Sequence, residues 1–491
     1  MPWQKNSRWR MALKLDKRAE RLESIDKAHI WHPFTQMKEW ALEKPLIITE
    51  ARDCFIKDIR GRWYLDGVSS LWVNILGHGR AEIDEAIRRQ LEKVSHTTLL
   101  GLASEASIEL AGGLSRLMEK SFPPEERVPE GPVPEAGRAL SRIFYSDNGS
   151  TAVEVALKMA FQYWRHKGKK EKRLFICLEN GYHGDTLGAV SVGGVEMFHS
   201  AFGPLLFETL KAPSPYCYRC GLGPEVKFPG CALACADEVK KMLETRQDEV
   251  CALIMEPMVQ AAGGMILHPP GYLKKVRDLC RDYGVPFIAD EVATGFGRTG
   301  RMFACEHEGV TPDIICLSKG ITGGYLPLAA TITNDEVYGA FLGGYEELKT
   351  FFHGHSYTGN PLACAAASAV LDIFEKEKIL EGVVEKADLL ARELAALADE
   401  KMDFGGGGVG EAKNLGLMGR IELVKDKEER APYAWEERIG WKVAQKALEG
   451  GLFIRPLGNV IVIMPPLVIS PENLKRMIDV IRQSISAVIG K

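Results

Sequence analysis

The stretch Asp313-Ile-Ile-Cys-Leu-Ser-Lys319-Gly-Ile-Thr-Gly-Gly324 decides how the chain is read. An apolar, β-type run ends at a single lysine, and small turn-forming residues follow at once. Lysine is almost never buried unless its charge is dealt with, so a lysine at the mouth of a buried strand asks for a chemical reason. Upstream, Val285-Pro-Phe-Ile-Ala-Asp290-Glu-Val292 repeats the pattern with a carboxylate at the strand end. Working outward from this pair, residues 142–146, 174–178, 250–255, 286–289, 314–317 and 328–333 read as strands, most of them near-continuous apolar runs. Strands of that kind are covered on both faces. Between them lie helical patterns over 151–166 and 271–283. Such alternation predicts an α/β fold with a large, doubly wound, mostly parallel sheet. Ligands of such sheets sit beyond the carboxyl ends of the strands, where Asp290 and Lys319 both fall.

The flanks read differently. Residues 1–28 are rich in Lys, Arg and Glu and predict a loose or helical arm. Residues 46–50, 54–58 and 63–66, with Arg60-Gly-Arg62 at a turn, predict a small antiparallel meander. Helical spacing follows over 81–94 and 104–118. After Pro361 come helices over 362–378, 383–402, 433–450 and 471–489 and strands over 416–423 and 460–464, a smaller α+β domain. The expected division is an N-terminal arm and meander (1–85) packing with the C-terminal domain, a large cofactor-binding domain (86–360) and the C-terminal α+β domain (361–491).

Composition narrows the class. The chain has 491 residues, is 46% hydrophobic and 26% charged, and carries a net charge of −4, so a nucleic-acid partner has no support. Eleven scattered cysteines, an odd number, fit a reducing compartment better than a disulfide framework. No signal-peptide core and no apolar run near the ~18 residues of a membrane span is present, so the expectation is a cytoplasmic protein without a membrane partner.

The candidate chemistry is that of pyridoxal 5'-phosphate. Lys319 would form a Schiff base with its aldehyde, and Asp290 would hold its pyridinium nitrogen protonated. Ser146-Asp-Asn-Gly149-Ser150-Thr151 joins a strand to a helix, where backbone N–H groups cradle phosphate; Gly149 permits close approach and Ser150 adds a hydroxyl. In Gly181-Tyr182-His183-Gly184, Tyr182 would lie against the cofactor face. His183 is a possible general base, but Lys319 once released can move the proton itself. His353-Gly354-His355-Ser356-Tyr-Thr-Gly-Asn-Pro361 is crowded with donors and reads as a second phosphate clamp. Taken singly, each has an ordinary alternative: a capped turn, a half-buried tyrosine, a surface lysine. The combination is what excludes them.

Together with Glu256-Pro257, the string Asp290-Glu-Val-Ala-Thr-Gly-Phe-Gly-Arg-Thr-Gly300 and Lys319-Gly320, these residues resemble the class III pyridoxal-phosphate aminotransferases over about 29–489. The resemblance implies the fold-type-I architecture and a homodimer with shared active sites, Ser356 reaching across it. Ile30-Trp-His-Pro-Phe34-Thr35, Ser69-Ser70-Leu71-Trp72 and Ile454-Arg455-Pro-Leu-Gly458 resemble the biotin-pathway branch of that family. In that branch Phe34, Leu71, Trp72, Tyr182, Lys319 and Gly354 would surround the substrate, and Arg455 would hold its distant carboxylate through a bidentate pair. Val462 and Ala262 stand where ω-amino-acid branches carry an arginine and an acid, which argues against an ornithine-type enzyme. Many members of the branch carry Tyr at the place of Phe34 and a second Trp at that of Leu71. Most take their amino group from S-adenosylmethionine, whereas some with Phe and an aliphatic residue use lysine, so both donors stay open.

Other readings remain beside this one. Another ω-amino-acid transaminase of the same class, or a catalytically silent binding protein on the same fold, would carry much of the pattern; a silent copy would be expected to lose Lys319 or Asp290. Cys217-x2-Cys220 and Cys231-x3-Cys235 have about the spacing of structural zinc, but the reading adopted is four reduced loop cysteines and no metal. Gly405, Gly407 and Gly410 match G-x-G-x-x-G without the strand–turn–helix context a dinucleotide site needs.

Overall fold

The computed structural model describes residues 3–123, 139–223, 225–399 and 407–490. Its centre is a seven-stranded sheet in the order Arg142–Ser146, Ala329–Thr333, Ile314–Leu317, Phe287–Asp290, Val250–Met255, Leu174–Leu178, Thr209–Ala212. Ala329–Thr333 is antiparallel to both of its neighbours, and the remaining strands run one way. The period-two geometry of the strands sends successive side chains to opposite faces. Ile254, Ile288, Ile314 and Cys316 meet the helix Gly149–His166 on one face, through Ala152, Val153, Ala156 and Met159. Leu253, Met255, Phe287, Ala289, Ile315 and Leu317 join the core of the other face, which continues into the terminal segments. Burial on both sides is why these strands read as unbroken apolar runs.

The helix Trp3–His29 leads into the antiparallel meander Ile48–Arg52, Phe55–Asp58 and Trp63–Asp66. The last strand also pairs, in parallel, with Leu452–Phe453, and the Gly67 N–H donates to Phe453 O at 2.9 Å. A Cβ at Gly67 would lie 2.9 Å from Ile454 Cγ2, so this junction of the two ends of the chain has no room for a side chain. The C-terminal part combines the strands Gly408–Leu415, Met418–Asp426 and Val460–Ile463 with the helices Pro361–Glu377, Ile379–Asp399, Ile439–Glu449 and Pro471–Ile489.

Several elements depart from the sequence reading; the helix expected over 383–402 starts at Ile379, and residues 400–402 of that expectation lie outside the described residues. Thr209–Ala212 is an edge strand, four residues long with a lysine in it, and shows no apolar run. Gly408–Leu415 opens from the glycine-rich run, of which Gly405 and Gly406 lie outside the described residues. The helix expected over 433–450 starts only at Ile439: Ala431–Pro432 pairs with Met418–Asp426, Trp435–Glu437 makes one 3-10 turn, and Arg438 at φ 50° separates that turn from the helix.

Candidate active site

Asp290 closes one strand, and Lys319 follows the next strand by two residues; those strands are paired side by side, so one backbone register brings both residues to the same sheet edge. There they line a cavity of about 440 Å³ with Tyr182, His183, Glu256 and Trp72. Lys319 begins a 3-10 turn at φ 46°, and its Nζ stands 5.0 Å from the centre of the Trp72 ring. No hydrogen-bond or ion-pair partner holds that amine among the described residues. Burial lowers its pKa from the ordinary lysine value; Asp290 and Glu256 oppose the shift, and Arg298 adds to it.

Asp290 is tied down on both oxygens. Oδ1 accepts the Val292 N–H at 3.1 Å, and Oδ2 lies 2.6 Å from His183 Nδ1. Burial disfavours the imidazolium, but the hydrogen bond and charge of Asp290 outweigh it and raise the His183 pKa. His183 Nε2 is buried without a partner. The Glu256 carboxylate accepts the Tyr182 N–H at 3.0 Å and the Ala261 N–H at 2.8 Å; burial, opposed by His183 and reinforced by Asp290, pushes it up to about 7. The His183–Asp290 pair is the functional feature that the sequence did not disclose. The two residues are 107 positions apart, and nothing local in a Tyr-His-Gly turn reveals which carboxylate the ring will meet.

The Tyr182 hydroxyl donates to Asp185 Oδ2 at 2.8 Å, and its ring stacks at 6.3 Å on His199. The helix Gly149–His166 points its N-terminus at the cavity, with Asn148 Oδ1 capping the Thr151 N–H at 3.1 Å. Ser150 Oγ accepts the Asp185 N–H at 3.1 Å. Added Cβ atoms at Gly149 and Gly184 would lie 2.6 Å from Val292 Cγ1 and 1.9 Å from Ser150 Oγ, so both glycines are required for these loops to close on one another. A helix N-terminus for an anion, a carboxylate for a ring nitrogen, an unpaired lysine for an aldehyde and an aromatic ring for a flat face make a donor set that fits pyridoxal phosphate.

Phe34, Leu71 and Arg455 are not among the residues that line the cavity, and they are placed differently. Phe34 is exposed at φ 49°, its ring 5.3 Å from Phe198, and its carbonyl accepts from Arg455 Nη2 at 3.3 Å. Arg455 is exposed and has no carboxylate partner among the described residues. Leu71 is exposed while Trp72 is buried. Residues Ser69, Ser70, Leu71 and Trp72 all have positive φ, at 51°, 48°, 68° and 71°. A left-handed conformation costs L-residues about 1–2 kcal/mol each. Gly354 and Ser356 do not reach the cavity of their own chain, and His355 stands at its edge, Nδ1 3.5 Å from Asp147 Oδ2. Cys217, Cys220, Cys231 and Cys235 are free thiols, and among the described residues no three His, Cys, Asp or Glu side chains are placed to hold a metal ion.

Residues 36–485 match the family model described as aminotransferase class-III. The chain is 50% identical to an adenosylmethionine-8-amino-7-oxononanoate aminotransferase of Geobacter sulfurreducens, over 96% of this chain and 98% of that protein. It is 45% identical to the protein of the same name from Methanocaldococcus jannaschii, over 94% and 97%. The crystal structure of the Methanocaldococcus jannaschii enzyme superposes with a TM-score of 0.86 at 44% identity, covering 96% of this chain and 99% of that one. A PLP-bound amine transaminase from an uncultivated Pseudomonas species matches at a TM-score of 0.84 and 34% identity, over 94% and 99%.

Proposed function

From the premise that the chain belongs to the class-III aminotransferases, we propose that it aminates 8-amino-7-oxononanoate to 7,8-diaminononanoate in biotin biosynthesis, with pyridoxal phosphate as cofactor. The observation that carries the reading is the Lys319–Asp290–His183 arrangement at the strand ends, in a chain half-identical to enzymes named for that reaction. The cofactor supplies the aldehyde that takes up the amine and an electron-poor ring that stabilises charge at the substrate carbon. Asp290, fixed by His183 and the Val292 N–H, would keep the ring nitrogen protonated. Gly149 and Ser150 would hold the phosphate at the helix N-terminus, and Tyr182 would lie against the ring. Lys319 Nζ, whose burial favours the unprotonated amine, would hold the cofactor through its aldehyde and, when free, would serve as the base that moves a proton at the substrate carbon. Phe34, Leu71 and Trp72 give the aliphatic chain an apolar wall, and the free guanidinium of Arg455 orients the distant carboxylate.

The protein is taken to act as a homodimer, Gly354, His355 and Ser356 of each subunit completing the partner's site. Two observations support this: the loop stops short of its own cavity, and Leu100, Leu102, Leu342, Leu348, Phe352 and Tyr357 are all exposed. We assign it to the cytoplasm, with small molecules as its other partners; no described helix is long and apolar enough to cross a membrane. The division at 85 and 360 is our proposed domain organisation.

The relatives' names point to S-adenosylmethionine as donor. Phe34 and Leu71, the pair seen in lysine users, favour lysine as the second reading. Adding each donor separately to the cofactor-loaded protein, then 8-amino-7-oxononanoate, decides between them: the visible cofactor absorption changes with the true donor and returns as diamine forms. If neither donor acts but β-alanine or ornithine does, the assignment falls to another ω-amino-acid transaminase.

A further inference from the structure

Four consecutive L-residues in the left-handed region form a rare conformation, and at 69–72 it is hydrogen-bonded as a turn. The Trp72 N–H donates to Val68 O at 2.7 Å, and the Val73 and Asn74 N–H groups donate to Ser69 O at 3.0 Å each. Neither glycine nor asparagine, the residues that adopt this region at least cost, occurs in Ser-Ser-Leu-Trp. The surroundings impose the conformation. The Ser69 hydroxyl donates to Met464 O at 2.7 Å, and the Ser70 hydroxyl donates to Asp66 Oδ2 at 2.8 Å. Asp66 is fully buried, with His78 Nε2 at 3.5 Å on the same oxygen. Before the turn, the Gly67 carbonyl accepts the Met464 N–H at 2.9 Å. After it, the buried Arg298 guanidinium donates to Asn74 O at 3.3 Å, and the space where Gly324 would carry a Cβ is 2.9 Å from the Val73 carbonyl carbon. The product of all this constraint is one buried indole, that of Trp72, set 5.0 Å from Lys319 Nζ.

We propose that Ser70, with Ser69, is a positioning residue that holds a strained left-handed turn so that the Trp72 ring stays on Lys319. This deepens the functional reading above and rests on it for the role of Lys319. Strained backbone persists where the surrounding structure over-determines it, and it gathers at sites where placement matters. An indole face attracts a cation, so its position biases the protonation of the nitrogen it covers. The other charged groups acting on that nitrogen are Asp290, Glu256 and Arg298, each on a different segment, and none of them lies on the turn.

The test compares Ser70→Ala with Ser70→Gly in the cofactor-loaded protein. In ordinary backbone alanine is the more stable of the two; in left-handed backbone the order inverts. Ser70→Gly is therefore expected to melt about 1–2 °C above Ser70→Ala. Both variants release the indole, so the pH midpoint of the visible absorption of the Lys319-bound cofactor falls by roughly 0.5 unit. In both, kcat drops about 3–10-fold with KM for the donor little changed, the pattern of a lost transition-state interaction. If Ser70→Ala does not fold, Leu71→Ala and Leu71→Gly pose the same stability question at an exposed side chain. Alanine melting above glycine at both positions overturns the strained turn. Glycine above alanine, with the midpoint within 0.1 unit and kcat within twofold of wild type, overturns its positioning role. Melting and absorption need no acceptor substrate, so failure of the wild-type protein to aminate 8-amino-7-oxononanoate would remove the proposed function while leaving these readouts decisive.

Discussion

The floor and the rim of the site are built on opposite principles. On the floor, Asp290 and Glu256 are buried with both carboxylate oxygens partnered, His183 is held through Nδ1 while its Nε2 has no partner, and the Lys319 amine is left unpaired among the described residues. Around it, outside the cavity lining, Phe34, Leu71 and Arg455 are exposed, and Gly354 and Ser356 do not reach the cavity although His355 stands at its edge; these make the rim. A floor complete within one chain can be preorganised by packing, at the cost of burying charge. A rim left open costs nothing to desolvate until a ligand or a second subunit arrives. On the function proposed above, reaction type belongs to the floor and substrate choice to the rim.

Removing the unpaired floor residue should have the largest effect. Lys319→Ala is expected to lose at least ~10⁴-fold in kcat with either donor, since both covalent attachment and proton transfer go with it. Single-turnover rates measure this, and a variant retaining over ~1% of the wild-type rate would show that the chemistry lies elsewhere. Asp290→Asn keeps the shape but not the charge. It should cost ~10²–10³-fold in kcat, as the loss of one preorganised electrostatic partner does. An equal loss in Lys319→Ala and Asp290→Asn would mean that the floor acts as one indivisible unit rather than as separate parts.

The sheet was legible in the sequence because its strands are buried on both faces, so the pattern of Ile314–Leu317 or Val250–Met255 survives without tertiary information. Asp290 and Lys319 were legible for the same reason, each being a polar residue that interrupts such a run. The partner of Asp290 was not, because His183 arrives from a distant loop. Nor was the left-handed turn: Ser-Ser-Leu-Trp has no glycine to announce it, and its conformation is set by Asp66 and Met464 rather than by its own residues. Thr209–Ala212 was missed because an edge strand need not be apolar. Arg455 and Phe34 were found by resemblance to a family and not by any local rule.

The rim should respond to substitution by substrate rather than by rate. Arg455→Ala removes a guanidinium whose contact here is a backbone carbonyl, so nothing in the fold depends on its charge. A charge-assisted pair with a carboxylate contributes about 1.5–3 kcal/mol. The KM for 8-amino-7-oxononanoate should therefore rise ~10–100-fold, while the donor half-reaction keeps its rate constant within ~3-fold. Steady-state kinetics against single-turnover with donor alone separates the two. A fall in the donor step as large as that in acceptor binding would place Arg455 functionally on the floor.

The smallest effect concerns what burying charge costs the floor. Glu291 follows Asp290, is wholly buried, and accepts from the Thr294 hydroxyl at 2.5 Å and the Cys305 N–H at 2.8 Å. Burial, countered by those donors, pushes its carboxyl up from 4.5 to about 7. The folded protein then holds this proton more tightly than the unfolded chain between those two values. By linkage, stability falls as pH rises through that window and is level above it. The full shift would amount to ~3 kcal/mol, and relaxation around the ionised group reduces the expected penalty to about 1–2 kcal/mol at pH 8. Glu291→Gln keeps the shape and, with its oxygen toward Cys305, the bond from that N–H; its NH2 then donates to the Thr294 hydroxyl, reversing that bond, and the side chain never ionises. Its urea midpoint should exceed that of wild type at pH 8, and the two should converge as the pH falls toward 4.5. Arg455→Ala should leave the slope of stability against pH untouched. If wild type and Glu291→Gln run parallel from pH 8 to 5, the two donors compensate the buried carboxylate fully, and the floor carries its charge as cheaply as the rim does.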